Sequence, residues 1–127
     1  MTENPLSPVT ISIDIRKNRI RIYKSLLQLL GFPKYIQFLV NPNNKSMAIK
    51  CVEHPVPGLP CEKIKPQEFM TNDSYELYSK SLIASLCRVY GKLNPNFTYH
   101  LTGEIVHSQN MAVFPPESLT PIEWKED

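Results

Sequence analysis

The sequence predicts a small α+β protein made of two pseudo-symmetric units, each a strand, a helix and a hairpin, fused in one chain. Three observations lead to this prediction. In residues 18–50 the spacing of apolar residues changes from strand-like to helical and back again. A similar run begins at Tyr75, and a proline-rich segment separates the two runs. The length of 127 residues suits one domain or two tightly packed halves.

The first unit, residues 9–52, opens with two predicted strands. From Val9 to Ile15 every second residue is apolar, which is typical of a strand with one buried face. After a tight polar turn, Arg19–Tyr23 alternates isoleucine with arginine in the same way. These residues therefore predict an N-terminal hairpin with a basic tip.

A short helix and a second hairpin complete the first unit. Leu26, Leu27 and Leu30 lie on one helical face, and Gly31 is suited to end this helix in a left-handed cap. Alternation then resumes on both sides of the turn-rich Asn41-Pro-Asn-Asn sequence, which predicts the hairpin.

The second unit, residues 74–114, follows a proline-rich linker, residues 53–73. Tyr75–Gly91 repeats the order Tyr, Lys-Ser-Leu, Leu and Gly of the first unit, with a helix about one turn longer. The predicted strands Phe97–Val106 and Met111–Phe114 then correspond to the hairpin. We interpret this similarity as an internal duplication, and chance similarity between two helix-hairpin segments is the alternative. The apolar faces of both units predict one core, formed by Leu26, Leu30, Ile36, Phe38, Ile49, Leu82, Leu86 and Val113.

Positive charge is concentrated in the first half of the chain. Residues 1–52 contain eight Lys or Arg and two acidic residues, whereas residues 53–127 contain six and ten, so the halves carry +6 and −4. A phosphate backbone requires such a concentration, because each neutralised phosphate releases condensed counterions. The alternative is an edge strand that its charges keep soluble. The candidate DNA-binding residues are Arg16, Lys17, Arg19, Arg21 and Lys24.

Residues 18–31, NRIRIYKSLLQLLG, resemble the strand and helix signature of AbrB-like transition-state regulators and MazE-like antitoxins, the swapped-hairpin family. In that family a Gly/Asn-Arg pair opens an apolar strand, a short helix ending in Leu-Gly follows, and a hairpin completes the unit. The resemblance covers about residues 9–52, with a degenerate second copy at about 74–114. It implies a cytoplasmic transcriptional regulator or antitoxin-like protein that binds double-stranded DNA.

The competing hypothesis is a non-enzymatic protein interaction module that retains the fold but has lost DNA binding. Family DNA readers usually carry basic residues at the helix positions that Leu27 and Gln28 occupy here. The family's antitoxins hold a toxin through a C-terminal extension, and the acidic tail, residues 115–127, is similar in kind. Folding of this tail onto its own core is the other reading, and a homodimer is compatible with both hypotheses. The candidate partner-binding residues are Leu119, Ile122 and Trp124.

Catalytic and metal-binding patterns are not found in the sequence. The chain has no glycine-rich phosphate loop, and its histidines and cysteines lie at no metal-ligand spacing. We therefore predict a protein that is not an enzyme and that uses no cofactor or metal. No membrane-spanning run and no secretory signal are recognised, which favours a cytoplasmic location. The histidines and cysteines without a metal-ligand spacing are Cys51, His54, Cys61, Cys87, His100 and His107.

Overall fold

The computed structural model describes residues 9–58, 61–65, 73–91 and 93–123. Within these residues nine strands form one antiparallel sheet, which curls into a half-barrel and is accompanied by two α-helices. Strands account for 48% of the described residues and helical segments for 22%, so the sheet determines the architecture.

The elements follow one another along the chain as β1 (Val9–Asp14), β2 (Arg19–Tyr23), α1 (Lys24–Leu29), β3 (Tyr35–Asn41), β4 (Ser46–Val52), β5 (Cys61–Lys63), β6 (Ser74–Tyr78), α2 (Lys80–Tyr90), β7 (Phe97–Val106), β8 (Met111–Phe114) and β9 (Thr120–Glu123). Across the sheet the order is β5-β3-β4-β8-β7-β1-β2-β6. The strand β9 pairs with the first half of β7, and β8 pairs with its second half. The two short strands thus succeed one another along a single edge of β7, and β1 occupies the opposite edge.

Every second residue of the central strands enters a continuous apolar core. Ile11 lies opposite Ile22 and Ile13 opposite Ile20, and all four side chains are fully buried. Burial of one such side chain contributes roughly 1.5–3 kcal/mol. The helices add their apolar faces to this core, as do β3, β4 and β8. The core therefore occupies the inner face of the curled sheet, and polar residues remain on the outer face.

Two hydrogen bonds of the Schellman type end α1. Gly31 adopts a φ of 81°, and its amide donates to the carbonyl of Gln28 at 3.0 Å. The next amide, that of Phe32, donates to the carbonyl of Leu27 at 2.8 Å. The predicted left-handed cap at Gly31 is confirmed, and the short helix directs Leu26 and Leu27 into the core.

The strands β5 and β6 lie at the two ends of the sheet order, and a side-chain hydrogen bond connects them. The hydroxyl of Tyr75 in β6 donates to Oε1 of Glu62 in β5 at 2.7 Å. Tyr75 is 8% exposed and belongs to the core, so this bond is made on the inner side. The curling of the sheet thus brings its first and last strands together.

The predicted architecture of two packed strand-helix-hairpin units is wrong. The strand β2 pairs with β6 and β4 pairs with β8, so strands of both supposed units alternate within one sheet. Within the run Tyr75–Gly91, for which the sequence predicted a helix without giving its first residue, the structure has a strand at Ser74–Tyr78 and a helix that begins at Lys80. Local periodicity identifies strands but not their distant partners, and that is why the prediction failed. Of the eight predicted core residues, Leu30 and Val113 are only half-buried and the other six are buried.

Candidate nucleic-acid interface

The candidate site is the outer surface of the five strands β6, β2, β1, β7 and β9, which we call the polar face. Because side chains alternate along a strand, the residues between the buried isoleucines of β1 and β2 lie on the opposite side of the sheet, where Ser12 and Asp14 are themselves only 6% and 3% exposed. Strand register arranges the polar face in two rows across the sheet. One row contains Glu76, Arg21, Ser12, His100 and Thr120, and the other contains Tyr78, Arg19, Asp14, Thr98 and Ile122.

A network of ion pairs connects three strands of the polar face. Arg19 Nη2 lies 3.1 Å from Asp14 Oδ2, and Arg19 Nη1 lies 3.7 Å from Glu76 Oε1. Arg21 donates to Glu76 Oε2 through both Nε and Nη2, at 3.0 and 2.7 Å. Two of the predicted phosphate contacts are therefore engaged with carboxylates of their own chain.

The two carboxylates of this network differ in their exposure to solvent. The side chain of Asp14 is 4% exposed, whereas those of Glu76 and Arg21 are 33% and 35% exposed. Asp14 also accepts a hydrogen bond from the amide of Lys17, which holds the turn between β1 and β2. The pair of Asp14 and Arg19 is thus part of the framework, and the pair of Glu76 and Arg21 is a surface interaction.

Both members of the surface pair are charged at neutral pH. Partial burial alone raises the pKa of Glu76, but its hydrogen bond to Arg21 and the charges of Arg21 and Arg19 outweigh this effect, so the pKa is lowered. Partial burial alone lowers the pKa of Arg21, and its contacts with Glu76 reverse the direction, so that pKa is raised. The polar face therefore carries fixed positive and negative charges side by side.

Tyrosine side chains flank the arginines on the polar face. The hydroxyl oxygens of Tyr23 and Ser12 lie 2.9 Å apart, and this contact orients the half-buried Tyr23. Tyr78 in β6 is 61% exposed, and its hydroxyl donates to Glu76 Oε1 at 3.2 Å. The face thus presents an exposed aromatic ring directly across from Arg19.

The three other predicted DNA-binding residues lie at the two ends of β2. Arg16 and Lys17 are exposed in the turn that precedes β2, where Arg16 Nη2 donates to Asn96 Oδ1 at 3.3 Å. Lys24 follows β2 directly, and its amide donates to the carbonyl of Asp73 at 2.8 Å. The structure therefore brings all five predicted basic residues to β2 and its ends.

The charge of this region is smaller than the sequence indicates. Its five basic residues are accompanied by three acidic ones, which leaves a balance of 5 − 3 = +2. The acidic residues are Asp14, Asp73 and Glu76.

Two of the three predicted partner-binding residues belong to the described part of the chain, and they differ in exposure. Leu119 is half-buried against the core, and Ile122 in β9 is 42% exposed at the end of one row of the polar face. Trp124 lies outside the residues that the structure describes.

Glu76 and Tyr78 were not among the predicted site residues, because the candidate DNA-binding residues were all basic residues of the first unit. The signal that identifies them is the alternation in Ser74–Tyr78, where Tyr75 and Leu77 are buried and the residues between them are exposed.

Comparisons with protein-family models, curated proteins and solved structures found no match. The resemblance to the swapped-hairpin family stays a prediction. Residues 9–58, 61–65, 73–91 and 93–123 contain no group of three His, Cys, Asp or Glu side chains suited to a metal ion, and no helix long and apolar enough to span a membrane.

Proposed function

We propose that this protein binds nucleic acid through the polar face and has no catalytic activity. The observation that carries the proposal is the convergence of five basic residues on β2 and its ends, next to exposed hydroxyl and aromatic groups. Arginine and lysine side chains supply most contacts to phosphates, while hydroxyl groups add further hydrogen bonds. The basic residues are Arg16, Lys17, Arg19, Arg21 and Lys24.

The ion pairs of the polar face are compatible with phosphate binding. An exposed pair such as Arg21 with Glu76 contributes about 0–1 kcal/mol, so a phosphate that replaces Glu76 loses little. The more buried contact with Asp14 keeps Arg19 in place, and the side chain of Arg19 remains 16% exposed. A guanidinium fixed in this way loses less entropy when it binds a second anion.

A protein interaction module is the second candidate function. It is supported by the local neutralisation of Arg21 by Glu76 and by two exposed apolar side chains at the ends of one row, Tyr78 and Ile122. Such a surface suits a partner that buries apolar area and satisfies existing charges. Binding to nucleic acid at low salt separates the two candidates, because only the first requires phosphate contacts.

We expect Arg21→Gln to weaken nucleic-acid binding and to lower the salt slope by about one. The reason is the loss of one phosphate contact and its counterion release. Fluorescence anisotropy with labelled DNA and RNA at several salt concentrations measures both quantities. Lys45→Gln, in the turn between β3 and β4, is the matched control because it removes one charge away from the polar face. No binding of either nucleic acid by the unaltered protein at about 50 mM salt would overturn the proposal.

Glu76→Gln is expected to strengthen nucleic-acid binding. The substitution removes the anion that competes with phosphate for Arg21, and the gain is roughly fivefold, which corresponds to 1 kcal/mol for an exposed pair. The same anisotropy titration measures it. Glu53→Gln, directly after β4 and outside the polar face, is the control for the change in net charge. Weaker binding by Glu76→Gln, with normal binding by the control, would show that Glu76 does not oppose phosphate contact.

A further inference from the structure

We infer that the polar face takes single-stranded nucleic acid, with an unpaired base stacked on Tyr78. This inference rests on the proposed function and adds the kind of nucleic acid to it. Three features carry it: the exposure of one aromatic ring, the shape of the surface and the size of its charge.

Tyr78 has the properties of a stacking residue. Its side chain is 61% exposed, although a tyrosine ring has a large apolar area to bury. It occupies β6 directly opposite Arg19, so a base on the ring would have a guanidinium and its ion-pair network beside it. The hydrogen bond from its hydroxyl to Glu76 favours one position of the ring on the face. Bases of any sequence can stack on such a ring, since each base has an aromatic face.

The shape of the surface favours unpaired bases over a duplex. A duplex keeps its base faces stacked inside and is read by elements that enter a groove. The polar face is the surface of a five-stranded sheet, which is wider than a major groove of about 12 Å. The polar face spans five strands, about 19 Å across at the usual strand spacing, and a single strand can lie along it.

The charge of the polar face also agrees with a single strand. Duplex DNA carries one negative charge per about 1.7 Å of its axis, twice the density of one strand. The balance of +2 around β2 neutralises a larger share of the charge of one strand than of two. A single strand can add stacking on Tyr78, which duplex DNA cannot do without unpairing.

The test compares four labelled oligonucleotides of about 12 nucleotides: single-stranded DNA, RNA of the same sequence, duplex DNA and an abasic DNA strand. We expect the intact single strands to bind at least about tenfold more tightly than the duplex at equal salt. Tyr78→Ala should weaken their binding about 5- to 100-fold, whereas Tyr78→Phe retains it. The abasic strand should bind weakly and should not respond to Tyr78→Ala. A difference in affinity between the single-stranded DNA and the RNA of the same sequence reveals whether the 2′-hydroxyl group contributes to binding.

Phe32→Ala is the matched control, because Phe32 is an aromatic residue that is 38% exposed outside the polar face. Thermal unfolding of Tyr78→Ala checks that the fold persists. The inference would be overturned if the duplex bound as tightly as the single strands or more tightly. It would also be overturned if a folded Tyr78→Ala variant bound the intact single strands with unchanged affinity. Either result would leave the proposed function standing. The absence of binding to all four oligonucleotides would overturn both.

Discussion

Replacing Gly103 with alanine is expected to lower the free energy of unfolding by about 3 kcal/mol. Gly103 lies in β7 where its pairing passes from β9 to β8. A Cβ atom at this position would overlap the carbonyl oxygen of Val113 and would lie 2.8 Å from Cδ2 of Phe114. The oxygen belongs to the backbone of β8 and cannot turn away without a shift of that strand. Urea unfolding measures the loss, provided that the transition remains two-state.

Gly58→Ala is the control for Gly103→Ala. Gly58 has a φ of 89°, but among the described residues no group other than its chain neighbours lies within 4 Å of the added Cβ. Its replacement should cost about 1 kcal/mol from the backbone conformation alone. Equal losses at both positions would contradict the close approach of β7 and β8.

Asp14→Ala is expected to lower the free energy of unfolding by about 3 kcal/mol, because it leaves a partly buried guanidinium without its main partner. The side chain of Arg19 is 16% exposed, and its contact with Glu76 is the longer one, at 3.7 Å. The hydrogen bond from the amide of Lys17 would be lost as well.

Glu76→Ala serves as the comparison, because Glu76 belongs to the same network but is largely solvated. Its removal should cost less than about 1 kcal/mol. Urea unfolding of both variants under identical conditions gives the two values. A loss at Glu76→Ala as large as that at Asp14→Ala would mean that burial does not distinguish the two carboxylates.

Local patterns in the sequence predicted most of the strands. The alternation of apolar residues identified Arg19–Tyr23 and Phe97–Val106 with their observed bounds, and the Gly31 cap was also identified. The strand Ser74–Tyr78 was not distinguished from the helix that follows it, because its five residues run directly into the helical spacing of α2. Strand order was not predictable either, since pairs such as β2 with β6 join residues far apart in the chain.

The candidate site was predicted in part. The sequence drew attention to Arg19 and Arg21, which the structure places on one outer face. It contained no sign of their neutralisation, because Glu76 is 55 residues away from Arg21 in the chain. Charge counts along a chain do not reveal which opposite charges meet across a sheet. The five basic residues and Asp14 give 5 − 1 = +4 from the first half of the chain, and Asp73 and Glu76 from the second half reduce this to +2.

The meeting of β5 and β6 bears on how the molecule avoids aggregation. An unpaired edge strand is a template on which a second molecule can add a strand. Here β5 has only three residues, and Tyr75 holds β6 close to it. The remaining short strand, β9, contains Pro121, whose nitrogen carries no hydrogen for an intermolecular bond. Edge-to-edge polymerisation is therefore disfavoured by the shortness of β5 and by the proline of β9, although strands account for nearly half of the described residues.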